Sequence, residues 1–218
     1  MEFIPLLHFF IRAFAGVFVI LDPFGASSHF LALTPHDSAL GKKAIAKKAC
    51  IVALGVLIFF SLAGGALFKY FGLTLAALKI AGGILLFTIA LGMLYGKRIG
   101  AKTTPEEEKE HSELEDIAVI PMAMPILSGP GAITTVMVLS GEAGGTPMKL
   151  VMVLLAVLIS LVICYFILAH SVVILKLLKT TGSKILTRIM GLIMSVIAVQ
   201  FVINGVADVL PLLIKKLH

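Results

Sequence analysis

Charge is scarce in this chain. Only 14% of its 218 residues are Asp, Glu, Lys or Arg, 59% are hydrophobic, and the mean hydropathy is +1.09. Soluble domains carry roughly 25% charged and 45–50% apolar residues. An aqueous globule is therefore excluded, and lipid is the solvent that fits. Cysteine is nearly absent. Cys50 and Cys164 each lie inside an apolar run, which argues against a disulfide framework and reads as two small buried or lipid-facing side chains. No zinc-ligand spacing, Walker motif or Gly-Xaa-Ser-Xaa-Gly elbow occurs. ATP hydrolysis, enzymatic chemistry and a bound metal or cofactor are accordingly not expected. Amides are equally scarce, with Gln200 the single glutamine and Asn204 the single asparagine. The N-terminus lacks the basic region of a signal peptide, so the first apolar segment is expected to remain as a membrane span.

What is present is a series of apolar runs. A helix needs about 20 apolar residues to cross a bilayer, and the runs predict an all-α membrane protein of six spans. The first covers about 3–34 with an interruption at Asp22–Gly25, the second 44–68 and the third 73–95. The fourth covers 117–140 with an interruption at Ser128–Gly131, the fifth 148–175 and the sixth 185–213. The strongly polar stretch 96–116, with Glu106, Glu107, Glu108, Glu110, Glu113 and Glu115, reads as a solvated linker. It separates a first unit, 1–95, from a second, 117–218.

The two interruptions match. Asp22-Pro23-Phe24-Gly25-Ala26-Ser27-Ser28 returns as Ser128-Gly129-Pro130-Gly131-Ala132-Ile133-Thr134. One offset of 106 pairs Gly25 with Gly131, Ala26 with Ala132, Ser28 with Thr134 and Thr34 with Ser140. Further on, Lys79-Ile80-Ala81-Gly82 resembles Arg188-Ile189-Met190-Gly191 at an offset of 109. Three spans per unit is an odd number, so the halves are expected to be inverted repeats. Interruptions at corresponding points of such halves are the best sequence pointer to a transporter's binding site.

The net charge of +6 reads as topology rather than as affinity for nucleic acid. Lys42, Lys43, Lys47, Lys48, Lys97, Arg98, Lys102, Lys109, Lys176, Lys179, Lys184 and Arg188 fall on one side, twelve of the eighteen basic residues. The positive-inside rule then puts the linker in the cytoplasm and both termini outside a cell membrane. Lys79 and Arg188 are expected to snorkel to opposite interfaces.

The residue types at the breaks suggest a ligand. Pro23 and Pro130 lack an N–H, and Gly25 and Gly131 tolerate angles other residues resist, so each pair should end one half-helix and begin another. Such breaks survive in hydrocarbon only where protein or a watery cavity satisfies the freed groups. A half-helix N-terminus suits a carboxylate, and Ser27, Ser28, Ser128 and Thr134 add hydroxyl donors. Asp22, an acid deep in an apolar span, is an N-cap, a partner for an ammonium, or a carrier of a coupling proton. Gln200, Asn204 and Asp208 share one helix face by their i, i+4, i+8 spacing. The two amides must face protein or a solute pathway, while Asp208 reads as a solvated helix end. Gly64-Gly65 and Gly82-Gly83 read as close helix contacts, and Ser160 as a hydrogen-bonded packing residue.

At Leu21-Asp22-Pro23-Phe24-Gly25, Phe30-Leu31-Ala32-Leu33-Thr34 and Pro121-Met122-Ala123-Met124-Pro125, running into Ser128-Gly129-Pro130-Gly131-Ala132-Ile133, the chain resembles the MarC family of integral membrane proteins. That family includes an archaeal neutral amino acid transporter. The resemblance implies transport of small neutral amino acids, glycine and alanine foremost, coupled to a proton or sodium gradient. The two breaks themselves point to a substrate site at 22–28, 128–132 and Thr134, and the placing of Gln200 and Asn204 inside a membrane helix to a role in touching substrate or holding a gate. Other family members often carry Ile and Asn where Phe24 and Ala26 stand here. An exporter or channel for another solute remains open. A membrane thiol-redox carrier is disfavoured, because Cys50 and Cys164 lie in different spans and the repeat offset pairs Cys50 with Ala156.

Overall fold

Long apolar segments in lipid satisfy their backbone groups internally, as helices. The computed structural model describes residues 3–96 and 117–217, and every regular element among them is helical. They are α1 (Phe3–Leu21), α2 (Pro23–Leu33), α3 (Ala39–Phe71), α4 (Leu75–Tyr95), α5 (Ala118–Leu127), α6 (Pro130–Glu142), α7 (Pro147–Ala169) and α8 (Ser171–Leu217). The linker expected at 96–116, with its glutamates, lies outside the described residues beyond Gly96.

Among the described residues, five segments are long and apolar enough to cross a membrane: Ile4–Leu33, which joins α1 and α2, Ala39–Leu67, Leu75–Tyr95, Pro147–Ala169 and Thr181–Leu210. The expected fourth span differs. It is divided into α5, of 10 residues, and α6, of 13, each too short to span alone. The α5 segment is π-type rather than α, and Ile120 and Met124 leave helical angles (φ −125° and −130°). Each precedes a proline, whose ring disfavours the α region for the residue before it. The expected fifth span is also shorter, ending at Ala169 instead of 175. A left-handed Lys179 (φ 56°, ψ 171°) then separates 171–178 from the long remainder of α8. The segment 171–178 precedes the last membrane-spanning stretch, which begins at Thr181.

The core is shared by both halves of the chain. Leu21, Phe30, Leu57, Met122, Leu127, Val136 and Leu168 form one buried cluster. In it α3 packs on α5, α6 and α7, and α1 on α7. Large apolar side chains such as Ile51, Leu62, Phe166 and Val196 are exposed on the outside, as a surface facing lipid requires.

Beside this core, α4 and α8 pack as an antiparallel pair of unusual closeness. A Cβ on Gly83 would sit 2.6 Å from the Ala198 carbonyl oxygen. One on Gly191 would meet the Ala90 oxygen at 3.1 Å, and one on Gly205 the Ala76 oxygen at 2.9 Å. Ala76, Gly83 and Ala90 repeat every seven residues, as do Gly191, Ala198 and Gly205. A seven-residue repeat keeps one seam facing the partner along the helix. Small side chains let backbones approach where no hydrophobic force separates helix from lipid. The close contact expected at Gly82-Gly83 is thus present, although Gly82 turns toward α6 and only Gly83 joins this seam.

Gly83→Leu should destabilise the detergent-solubilised protein by about 2–4 kcal/mol through overpacking. Gly65→Leu, whose Cβ would meet nothing within 4 Å, should stay within about 0.5 kcal/mol. Equal melting temperatures for the two variants would refute the seam.

Candidate functional site

The first break is one residue long. Pro23 opens α2 and disfavours a helical Asp22, which takes left-handed angles (φ 38°, ψ 65°). Asp and Asn adopt that region more readily than most residues. From there the Asp22 Oδ1 accepts the Gly25 N–H at 3.2 Å, and its carbonyl accepts the Ala26 N–H at 2.8 Å. Asp22 is therefore an N-cap. Gly25 is glycine for a reason different from the expected one. Its φ is not positive, but a Cβ there would fall 2.0 Å from the Asp22 Oδ2. The unusual angles belong to Asp22, and Gly25 supplies the space the capping carboxylate occupies.

The second break is built differently. The Ser128 N–H and Oγ both donate to the Ala123 carbonyl, each at 2.8 Å, and the side chain is fully buried. Gly129 is the extended N-cap of α6 and offers no side-chain acceptor. Pro130 has no N–H, and the Ile133 N–H reaches the Gly129 carbonyl at 3.0 Å. The N–H groups of Gly131 and Ala132 are left without an intrahelical acceptor. A Cβ on Gly131 would stand 3.0 Å from the Ile20 Cδ1, so the second break lies against the last turn of α1. The two ends differ in charge: α2 carries its own carboxylate, while the partial positive charge of α6 has no side-chain counterpart.

Several expected donors prove to be engaged. Ser27 donates to the Phe24 carbonyl at 2.7 Å, Ser28 to the same oxygen at 3.5 Å, and Thr134 to the Pro130 carbonyl at 2.8 Å. Short hydroxyl side chains turn back in this way on helices. Ser28 also meets Ser183 of α8 at 3.2 Å, and the Thr134 methyl fills the place a Cβ on Gly82 would need. Pro23, Ala26, Gly131 and Ala132 are buried, and Phe24 and Gly25 are half-buried.

Gln200 and Asn204 do not join the breaks. The Gln200 Nε2 donates to the Asn204 Oδ1 at 2.7 Å on an exposed part of α8. Gln200 lines an open groove of about 240 Å³ with Phe87, Ser195, Val196 and Val199. The i, i+4 spacing brought the amides to each other, and helix rotation took them away from the site.

Sequence reasoning missed a charge network. Lys79 is 7% exposed and does not snorkel. Its Nζ lies 2.9 Å from the Asp208 Oδ2 and 3.4 Å from the Glu142 Oε1. The other Glu142 oxygen accepts from the Arg12 Nη2 at 2.8 Å. Asp208 is thus a partner rather than a merely solvated end. Both cations come from the first half of the chain and both carboxylates from the second. The isolated Glu142, closing an apolar segment, was the available signal. Ser160, expected to be hydrogen-bonded, is buried with no protein partner, as is Ser140. Among the described residues no group of three or more His, Cys, Asp or Glu gathers as a metal site would.

The profile of the MarC family of integral membrane proteins matches residues 7–210. A UPF0056 membrane protein of Methanocaldococcus jannaschii is 43% identical over 94% of this chain and 98% of its own length. One of Archaeoglobus fulgidus is 39% identical over 95% and 97%. The UPF0056 membrane protein YvbG of Bacillus subtilis is 37% identical over 95% and 99%. No solved structure matches the chain.

Asp22→Gly, which removes the cap but keeps the left-handed angles accessible, should cost only about 0.3 kcal/mol. Gly25→Ala should cost about 1–2 kcal/mol by displacing the same carboxylate. In the double variant the clash is gone, so the total should fall near that of Asp22→Gly alone. Simple additivity in thermal unfolding would refute the shared contact.

Proposed function

Because the chain belongs to the MarC family of integral membrane proteins, we propose that it is a secondary transporter of small neutral amino acids, glycine and alanine foremost, working without catalytic chemistry. The observation that carries this reading is the pairing of two helix breaks of opposite character. The uncapped N-terminus of α6 offers the Gly131 and Ala132 N–H groups to a carboxylate. Asp22, in the adjoining break, offers a carboxylate to an ammonium. A zwitterion with a minimal side chain satisfies both ends at once. Asp22 is also the group to carry a coupling proton, which favours a proton over sodium.

The packing supports reading the chain as six spans in two inverted repeats, with α5 and α6 together forming the fourth. Exchanging the halves carries α1 on α7 to α5 on α3, and α2 on α7 to α6 on α3. It also carries α2 on α8 to α6 on α4, and each of those pairs is in contact. The exchanged helix pairs carry the contacts of Ser28 with Ser183 and of Thr134 with Gly82. With the linker cytoplasmic by the positive-inside rule, the network of Arg12, Lys79, Glu142 and Asp208 lies at the outer end of the bundle. Every ion pair in it joins one repeat to the other, so it serves as the outer gate in the role expected of Gln200 and Asn204. Outward opening must separate these charges, whereas inward opening must release Ser28 from Ser183. The breaks between them are packed shut, and substrate enters as the repeats rock apart. The partners are then a small zwitterion, a proton or sodium ion, and the lipid bilayer.

Proteoliposomes with an imposed proton gradient should accumulate labelled glycine and alanine more than vesicles with a sodium gradient or none. Gly131→Leu should abolish uptake, and Asp22→Asn should remove its dependence on the proton gradient. No uptake of either amino acid by folded, reconstituted protein would refute the substrate assignment.

Glu142→Gln should loosen the outer gate. If the pair holds the closed form by about 1 kcal/mol, hydrogen exchange at the α6 N-terminus rises roughly fivefold. Lys149→Gln, at the same end of the bundle but outside the network, should leave it unchanged. Equal exchange in both variants would refute the gate.

A further inference from the structure

The repeat offset argued against a meeting of the two cysteines, yet they meet. Cys50 of α3 and Cys164 of α7 are free and buried, belong to the same core cluster, and lie close enough for their thiols to interact. The offset gave Ala156 as the equivalent of Cys50, but equivalence does not decide contact. Where two equivalent helices pack on each other, as α3 and α7 do, a residue touches whatever the antiparallel register places opposite it.

The surroundings of the pair allow a close approach. Ala46, Ala49 and Ala53 on α3 are fully buried, so small side chains flank Cys50 within one turn on either side. Ser160 is one turn from Cys164 on the same face, and its buried hydroxyl has no protein partner. It offers a small polar oxidant a hydrogen bond inside an otherwise apolar seam. Asp22 is near enough to act electrostatically on Cys164, which puts the pair beside the first helix break.

We propose that Cys50 and Cys164 form a reversible dithiol–disulfide site that staples α3 to α7 when a diffusible two-electron oxidant, a peroxide, enters the seam. One sulfur attacks the O–O bond of the peroxide, giving a sulfenic acid and one water. The second sulfur attacks the first, forming the S–S bond and expelling a second water. Two thiols and one hydrogen peroxide thus become one disulfide and two waters. The peroxide is reduced, and both thiol protons leave in the waters. The product is neutral, as a dry interior demands, whereas a lasting thiolate would be a buried charge. A small-molecule dithiol reverses the step by thiol–disulfide exchange.

The consequence for transport rests on the function proposed above. The staple ties the first half of the chain to the second beside the break and stops the two from moving apart. Oxidised protein should therefore be locked, and reduction should release it.

The chemistry is tested apart from transport. Reconstituted protein is treated with hydrogen peroxide, or with the permeant azo-type oxidant diamide, then quenched, denatured and alkylated for intact mass. The expected result is a monomer 2 Da lighter, with both alkylation sites lost and both restored by dithiothreitol. Cys50→Ala and Cys164→Ala should each leave the remaining thiol free of that intramolecular bond. Persistence of both thiols under both oxidants, or disulfides only between molecules, would overturn the proposal. Alanine uptake by the same vesicles is then measured before oxidation, after it, and after reduction. Uptake lost and regained in wild type but constant in Cys50→Ala supports the lock. A disulfide that forms without changing uptake overturns the lock while leaving the site standing. Absence of uptake under every condition fails the transporter reading and not the thiol chemistry.

Discussion

A backbone that leaves the helix inside a membrane must find partners for its N–H and C=O groups without water, and both helix breaks of this protein are shaped by that demand. At the first, Asp22 adopts left-handed angles so that its carboxylate can take the Gly25 N–H. Gly25 must lack a side chain to admit that carboxylate. At the second, Ser128 directs two donors to the Ala123 carbonyl. The first turn of α6 receives no side-chain acceptor. One end is satisfied by its own side chain, and the other is not.

The seams around the breaks divide the work of holding the halves together. Along α4 and α8, glycine against an alanine carbonyl lets two backbones nearly touch. Dispersion replaces the hydrophobic effect there, because lipid is as apolar as the interface. Between α3 and α7 the same economy of side-chain volume brings two thiols together. At the end of the bundle away from the linker, cations of the first half meet carboxylates of the second. Lys79 is nearly enclosed, and burying its charge is tolerable only because two carboxylates share it. Contacts of these three kinds differ in reversibility. The close-packed glycine seam resists separation, while ion pairs and hydroxyl contacts open at lower cost.

Where sequence reasoning succeeded, the controlling physics was local or compositional. Apolar composition selects lipid as solvent, unbroken apolar length selects a spanning helix, and proline beside glycine ends one, all within a few residues of the cause. The places of both breaks, the helical class and five spanning segments follow from that. Where it went astray, the cause lay across the molecule. Gln200 and Asn204 had to find partners, as amides in a membrane must, but they found each other.

The sequence by itself thus determined that this is a helical membrane protein with two interrupted helices at corresponding points, because hydropathy and backbone restriction act within one segment. Only the tertiary structure decided that Gly25 serves the Asp22 carboxylate, that Arg12 meets Glu142 across 130 positions, and that Cys50 meets Cys164. Helical periodicity says which residues share a face. It does not say which neighbour that face will meet, because rotation and register are set by the packing of the whole bundle.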